Sequence, residues 1–462
     1  MEYLENRTFE EIKVGDCATL TRTLTERDIM LFAVMSGDIN PAHVDPEYAA
    51  SSQFREVIGH GMWSGALIST VLGTQFPGPG TIYLGQELRF RHPVGVGDAI
   101  TVKVTATARD VEKGRVTLST ECVNQDGKVV VSGTADVLAP RQKVRRPRVA
   151  LPEVRIGDRE TRFRHIAERV KGLKLPPVPV AVVYPCDADS LASTLQAMRE
   201  GVIVPVLIGP EAAVRETADA AQLDLTGMAI RPAASRGEAA ALAVQLARQG
   251  AVRAIMRGSL ETAELMAPVA ADSWLRTERR LSHVFVVDVP AYTKPLFITD
   301  AALNVEPTLE DKRDIVQNAV DLAHMLGNTL PRVALLAATD TVDPGMRATL
   351  DAATLCKMAD RGQITGAALD GPLAFDDAVS LKVARRGGLL SPVAGQADIL
   401  VVPDMASGNM LAKQLAHFAD ALAAGIVLGA RVPIALPDRA DDRMASMASA
   451  MLVHIVANAK QA

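Results

Sequence analysis

Asp38 and His43 stand five residues apart in the stretch Ser36–Met62, SGDINPAHVDPEYAASSQFREVIGHGM. A carboxylate and an imidazole held that close on a turn can share one water as a general acid/base pair. Pro41 fixes a backbone dihedral between them and stiffens the turn that delivers His43. Further on, Gly61 opens the apolar run Met62-Trp63-Ser64-Gly65-Ala66-Leu67-Ile68-Ser69. A helix starting there leaves its first amide N–H groups unpaired at the positive end of its dipole. A thioester oxygen placed against them would be stabilised as it became an enolate. The plainer alternative is that Asp38 and Asn40 make local turn hydrogen bonds and His43 is a satisfied polar residue.

The elements that must position these residues are also legible. Thr25 is a good N-cap, Asp28 falls at the third helical position, and Leu24 with Ile29 can form a hydrophobic staple. Apolar residues continue through Met30, Phe32, Ala33 and Val34, and Gly37 suits the exit from that helix. Asp38 therefore lands just past a helix end. Beyond the helix that Gly61 opens, Ile82, Leu84, Leu88 and Phe90 share a period of two, as do Ile100, Val102 and Val104. Val116, Leu118 and Cys122 continue the pattern. Gln125-Asp126-Gly127 reads as a hairpin turn from which Val129, Val131, Ala135 and Val137 return.

Asp38-Ile39-Asn40-Pro41-Ala42-His43, His60-Gly61-Met62 and Tyr83-Leu84-Gly85-Gln86 together resemble the MaoC-like, (R)-specific enoyl-CoA hydratase family over about the first 140 residues. The resemblance implies a hotdog fold, one long helix wrapped by an antiparallel sheet. It implies that Asp38 and His43 hold the reacting water, that Gly61 supplies the oxyanion amide, and that Ser69 lies near the pair. Asn40 and Met62 would border the substrate. His60 is taken as structural. Hotdog domains commonly pair, so a homo-oligomer, at least a dimer, is expected.

At 462 residues the chain is too long for one ordinary core. Its 48% hydrophobic content argues against disorder. A net charge of −5 and 4% aromatic residues give no nucleic-acid signal. Cys17, Cys122, Cys186 and Cys356 are scattered without CxxC spacing, which points to reduced thiols rather than a zinc or disulfide framework. The N-terminus carries acids where a secretory signal needs bases. No run of eighteen uninterrupted apolar residues occurs, so no membrane span is expected and a cytoplasmic location is. No metal or redox cofactor is expected, because adding water to an activated thioester needs only acid, base and an oxyanion site.

Residues 140–175 are basic and proline-bounded, with a short helix expected from Thr161 to Lys171. They read as a solvated linker, or alternatively as a patch for the phosphates of coenzyme A. From 176 the period changes. Continuous apolar runs at 178–184, 202–208, 252–256, 283–289, 332–338, 397–402 and 432–436 alternate with helical segments, among them Ser190–Arg199, Arg236–Gln249, Leu309–Leu326 and Asn409–Ala424. Such alternation indicates a parallel sheet covered on both faces, with ligands beyond the carboxyl ends of its strands. Arg257 ends one strand with Thr262 close by. Asp404, Ser407, Gly408 and Asn409 form a strand-to-helix turn of the kind that offers backbone N–H groups to an anion.

In order along the chain, GPLAFD, ADILVVPDMASGN and PIALPDRADD resemble the phosphate acetyl/butyryltransferase family, closer to the butyryl type, over about residues 176–462. The resemblance implies direct attack of a coenzyme A thiol on an acyl phosphate, with Arg439 holding phosphate and the Ser407–Asn409 helix start supporting it. The family's usual Ser-Arg pair is here Asp438-Arg439. Asp438 is then either a base for the thiol or a mark of weakened chemistry, and Asp441 and Asp442 are candidates for a later acidic residue.

The expectation is therefore a multidomain acyl-CoA enzyme: an N-terminal α+β hotdog domain over 1–139, a linker over 140–175, and a C-terminal α/β domain with a largely parallel sheet over 176–462. Its ligands would be acyl-CoA and acyl phosphate. The alternative is an active hydratase carrying a non-catalytic, acyl-CoA-sensing or assembly domain.

Overall fold

A computed structural model describes residues 3–151, 154, 163–437 and 443–460. The chain forms two compact units, Met1–Gly157 and Asp158–Ala462.

In the first unit, the helix Glu26–Ser36 begins and ends as its sequence demands. The Thr25 side chain accepts from the Asp28 amide, Asp28 reciprocates, and Gly37 leaves the helix at φ +76°. Glycine reaches that left-handed region without a Cβ clash. The helix Gly61–Thr74 buries Trp63, Leu67, Ile68, Val71 and Leu72. A five-stranded antiparallel sheet surrounds this helix, in the order Cys17–Thr23, Ala99–Asp110, Arg115–Val123, Val129–Leu138, Ile82–Phe90. Val102, Val104, Val116, Leu118 and Val137 share one apolar core with the helix. Fully burying each such side chain contributes about 1.5–3 kcal/mol. This is the hotdog arrangement.

The edge strand departs from expectation. Ile82, Leu84 and Phe90 are exposed, and only Leu88 of that set packs against the core. A register shift between Tyr83 and Gly85 turns the strand, and a period of two cannot say which face is covered.

Within the basic stretch, Arg145–Pro147 pairs antiparallel with Tyr3–Glu5 in the first unit. The helix expected from Thr161 forms over Arg164–Leu173, and Thr161 lies outside the described residues.

The second unit is an α/β domain built on one eleven-stranded sheet. One flank, Ala229–Pro232, Ile203–Gly209, Val178–Val183, Ala254–Arg257 and Ile434–Ala435, is parallel. So is the other, Leu296–Thr299, Ile399–Val401, Arg332–Leu336 and Ala368–Leu373. Between them run Leu422–Leu428 and Ser282–Asp288, which pair antiparallel with each other and with their outer neighbours. The helix expected over Asn409–Ala424 ends at Phe418, and the apolar run after it is the strand Leu422–Leu428. The first three residues of GPLAFD end the strand Ala368–Leu373. The C-terminal helix Arg443–Ala459 is buried over most of its length, as a helix apolar on nearly all sides must be. No helix among the described residues is long and apolar enough to cross a membrane.

Candidate functional site

The turn after Gly37 is built from short polar side chains bonding their own backbone. The Asp38 amide donates to Ser36 Oγ at 3.2 Å, and the Asn40 amide donates to Asp38 Oδ1 at 3.2 Å. Asn40 Oδ1 accepts from the Ala42 amide at 3.1 Å, and its carbonyl accepts from the His43 amide at 2.9 Å. Asn40 is thus a turn-builder whose side-chain oxygen is already occupied. The local hydrogen bonds of the plainer reading are present, and so is the convergence. Donor atoms of Asp38, His43 and His60 all lie within 4.8 Å of one another.

Two main-chain carbonyls orient the imidazoles. His43 Nδ1 donates to the Ile58 carbonyl at 2.8 Å, and His60 Nε2 donates to the Asp38 carbonyl at 2.9 Å. A carbonyl can only accept, so each of these nitrogens carries the proton and the other nitrogen of a neutral ring keeps its lone pair. His43 therefore presents Nε2 as a base. His60 is 3% exposed and packs against His43 with centroids 4.1 Å apart and against Phe32 at 4.9 Å. His60 immediately precedes Gly61, so this packing brings the start of the central helix to the pair. The His60 side chain makes no cap hydrogen bond to that start, and no other side chain among the described residues does. The ring of Phe90 closes on Gly61, where an added Cβ would meet it at 3.0 Å.

Met62 and Ser69 lie on this helix seven residues apart, and both are exposed. No hydrogen bond among the described residues joins Ser69 to Asp38 or His43. Tyr83 donates to the Gln86 side chain, which in turn donates to Thr120 Oγ1 at 3.2 Å. Partial burial pushes the Tyr83 phenol above its usual value.

In the second unit, Arg257 sits buried at the carboxyl end of its strand. It donates to Thr262 Oγ1 at 3.1 Å and to the carbonyl of Pro437. It thereby ties its own strand end to the chain that enters residues 438–442. Asp438 and Arg439, with Asp441 and Asp442, lie outside the described residues.

The Asp404 turn is differently employed than its sequence suggests. Asp404 Oδ1 accepts from the Ser407 amide at 2.8 Å and from Ser407 Oγ at 3.0 Å. The helix start is occupied by its own carboxylate, so Ser407 offers that amide to no other anion. Gly408 lets the helix approach the 300–301 turn, since an added Cβ would stand 2.9 Å from the Asp300 carbonyl oxygen. Asn409 Nδ2 donates to the Ala301 carbonyl at 3.4 Å.

Thr262 and Met405, the first residue of the Asp404 helix, line one cavity of about 910 Å³. Sequence reasoning missed its charged lining, in which Arg276, Arg279, Arg280 and Arg313 stand beside Glu278, Glu310, Asp311 and Asp314. The signal was the cluster RTERR at 276–280, but the fourth arginine lies on a separate helix. Arg280 Nε is 2.7 Å from Asn304 Oδ1, Arg313 is 2.9 Å from Asp314, and Arg279 pairs with Asp321. Arg276 makes no ion pair among the described residues. Beneath this end of the sheet, His283 is wholly buried and meets the Phe285 ring edge-on at 4.3 Å. Desolvation, with the Arg257 charge, lowers its pKa to about 3.

The family description Phosphate acetyl/butaryl transferase matches residues 227–453, and MaoC like domain matches residues 13–126. The phosphate acetyltransferase of Rhizobium meliloti is 54% identical over 280 residues, covering 60% of this chain and 89% of that protein. The phosphate butyryltransferase of Clostridium acetobutylicum is 36% identical over 299 residues, covering 64% of this chain and 99% of that protein. Identity is thus higher toward an acetyl-type relative, the reverse of what the loop motifs suggested. Among solved structures, a branched-chain phosphotransacylase from Enterococcus faecalis V583 is 27% identical with a TM-score of 0.53, over 60% of this chain and 99% of that one. The chain belongs to the phosphate acetyl/butyryltransferase family and carries a MaoC-like domain ahead of its transferase domain.

Proposed function

We propose that the first unit reversibly hydrates trans-2-enoyl-CoA to (R)-3-hydroxyacyl-CoA, while the second exchanges an acyl group between coenzyme A and phosphate. The observation that carries the hydratase reading is the convergence of Asp38, His43 and the uncapped start of the Gly61 helix. His43 Nε2 takes a proton from water as its oxygen bonds to C3. The C2–C3 π electrons move toward the thioester, whose oxygen gains charge against the Gly61 amide. Asp38, entering the cycle as the carboxylic acid, delivers its proton to C2, and the proton held by His43 then passes to the Asp38 carboxylate, so that H and OH add across the double bond and the pair is restored. Preorganised donors aimed at a developing oxyanion are commonly worth about 10²–10³ in rate.

For the transferase, the coenzyme A sulfur bonds to the acyl phosphate carbonyl carbon and the carbon–oxygen bond to phosphate breaks. Arg439 is the guanidinium proposed to hold the leaving phosphate, with Arg257 fixing Pro437 two residues ahead of it in the chain. A permanently charged planar donor suits that anion. The higher identity to an acetyl-type relative supports a short acyl group.

One preparation of the full-length protein tests both halves. Loss of the conjugated thioester absorbance of crotonyl-CoA reads hydration. Phosphate-dependent release of free thiol from acetyl-CoA and butyryl-CoA reads transfer. Absent turnover of enoyl-CoAs of every chain length tried would sink the first reading. Tight acyl-CoA binding without phosphate-dependent thiol release would replace the second with a sensing domain.

A further inference from the structure

We propose that Asp38, His43 and His60 form a Zn²⁺ site, and that capture of the ion switches hydration off. Two histidines and one carboxylate bring their donor atoms within 4.8 Å of one another. Each histidine already has one ring nitrogen fixed by a main-chain carbonyl, Ile58 for His43 and Asp38 for His60. Metal-binding histidines are usually held this way, because the outer hydrogen bond sets the tautomer, aims the free lone pair and raises its basicity.

The second observation is His60 Nδ1. It is buried and has no hydrogen-bond partner, on a side chain 3% exposed. Buried polar atoms are rarely left so. Acid/base chemistry as derived above uses His43 and Asp38 and leaves this lone pair idle. The His60 ring is packed against its neighbours, with His43 at 4.1 Å and Phe32 at 4.9 Å between centroids, and its unpartnered nitrogen is buried among them.

Zinc bonds to imidazole nitrogen and carboxylate oxygen at about 2.0–2.2 Å, and three protein ligands leave a fourth position for water. Its donors must approach one another more closely than they stand here. Asp38 can supply its share of that movement, since it is exposed and its carboxylate is tied only to the Asn40 amide. One carboxylate charge and two neutral imidazoles suit a borderline divalent ion better than calcium or magnesium, which prefer oxygen. The consequence for the reaction follows from electron pairs. Once the His43 Nε2 lone pair is on zinc, it cannot take a proton from water, and Asp38 is lost as the partner acid.

The binding claim is independent of the hydratase reading; only the inhibition rests on it. The test uses full-length protein stripped with a chelator, Zn²⁺ alone as probe, and equilibrium dialysis beside the crotonyl-CoA assay. The wild type should bind one more zinc equivalent than His60→Gln or Asp38→Asn, or bind it roughly 10- to 100-fold more tightly. Hydration should fall in step with occupancy and return on adding EDTA. Should either variant fail to melt cooperatively, His43→Gln makes the same comparison. Zinc binding of equal stoichiometry and affinity in wild type and variants would overturn the site. Full occupancy with undiminished hydration would overturn the switch. If no enoyl-CoA is hydrated at all, the dialysis result still decides whether the site exists.

Discussion

His60 Nε2 donates to the main-chain carbonyl of Asp38 at 2.9 Å across twenty-two residues of sequence, while its ring lies against that of His43. One buried imidazole therefore positions both halves of the acid/base pair. His60→Ala should lower the hydration kcat by about 10- to 100-fold, because a displacement near 1 Å at the reacting groups costs that much. KM should change little. Steady-state kinetics on crotonyl-CoA check this, and an unchanged kcat in a folded variant would remove the positioning role.

Asp38→Asn and His43→Ala should each lower hydration by a factor on the order of 10² or more, the usual worth of a placed proton donor or acceptor. Phosphate-dependent thiol release in the same preparations should be unaffected. Near-normal hydration in both variants would refute the assigned roles.

Arg257 joins the Thr262 hydroxyl to the Pro437 carbonyl. Lysine carries the charge but not the fork of donors that spans both. Arg257→Lys should therefore reduce acyl transfer by roughly tenfold or more while leaving hydration intact. Equal transfer rates in wild type and variant would show that the bridge is dispensable.

Gly408→Ala probes the contact between the Asp404 helix and the 300–301 turn. The new methyl would stand 2.8 Å from Val402 Cγ2, 2.9 Å from the Asp300 carbonyl and 3.1 Å from Ala301 Cα. Two of these neighbours are backbone, which yields little. Overpacking of this kind costs about 1–3 kcal/mol, readable as a lowered midpoint for the second unit in denaturant.

His283 should make the second unit sensitive to acid. Folded, its pKa is lowered to about 3 by desolvation and then by Arg257. In the unfolded chain it is about 6.5. Between these values the unfolded chain binds a proton that the folded one refuses. Stability from this residue is full above the upper value and falls with pH, by about 1.4 kcal/mol per unit at the steepest. Asp300, whose carboxyl burial raises, works in the opposite sense. His283→Leu should flatten the acid limb of a melting-temperature profile; an unchanged limb would assign it to other groups.

The chemistry of both units was legible wherever it rested on neighbours in sequence. Thr25, Asp28 and Gly37 specify one helix through bonds that reach no further than three or four residues, and Asn40 with Pro41 specify the turn that follows. Asp404 and Ser407 form an N-cap of the same local kind. The Leu422–Leu428 segment shows the opposite situation. Its small and apolar residues satisfy either period, and the antiparallel partner Ser282–Asp288 that makes it a strand lies far off in the chain.

From the sequence alone came two domains, a hotdog followed by an α/β sheet, and the pair Asp38 and His43. Those features depend on periodicity, capping and turn chemistry, which act over a few residues. Tertiary structure alone decided that His60 binds the Asp38 carbonyl, that four arginines share one cavity wall, and that Ile82, Leu84 and Phe90 face outward. Each of these is a contact or an exposure between residues distant along the chain, set by how whole elements pack, and no local pattern encodes it.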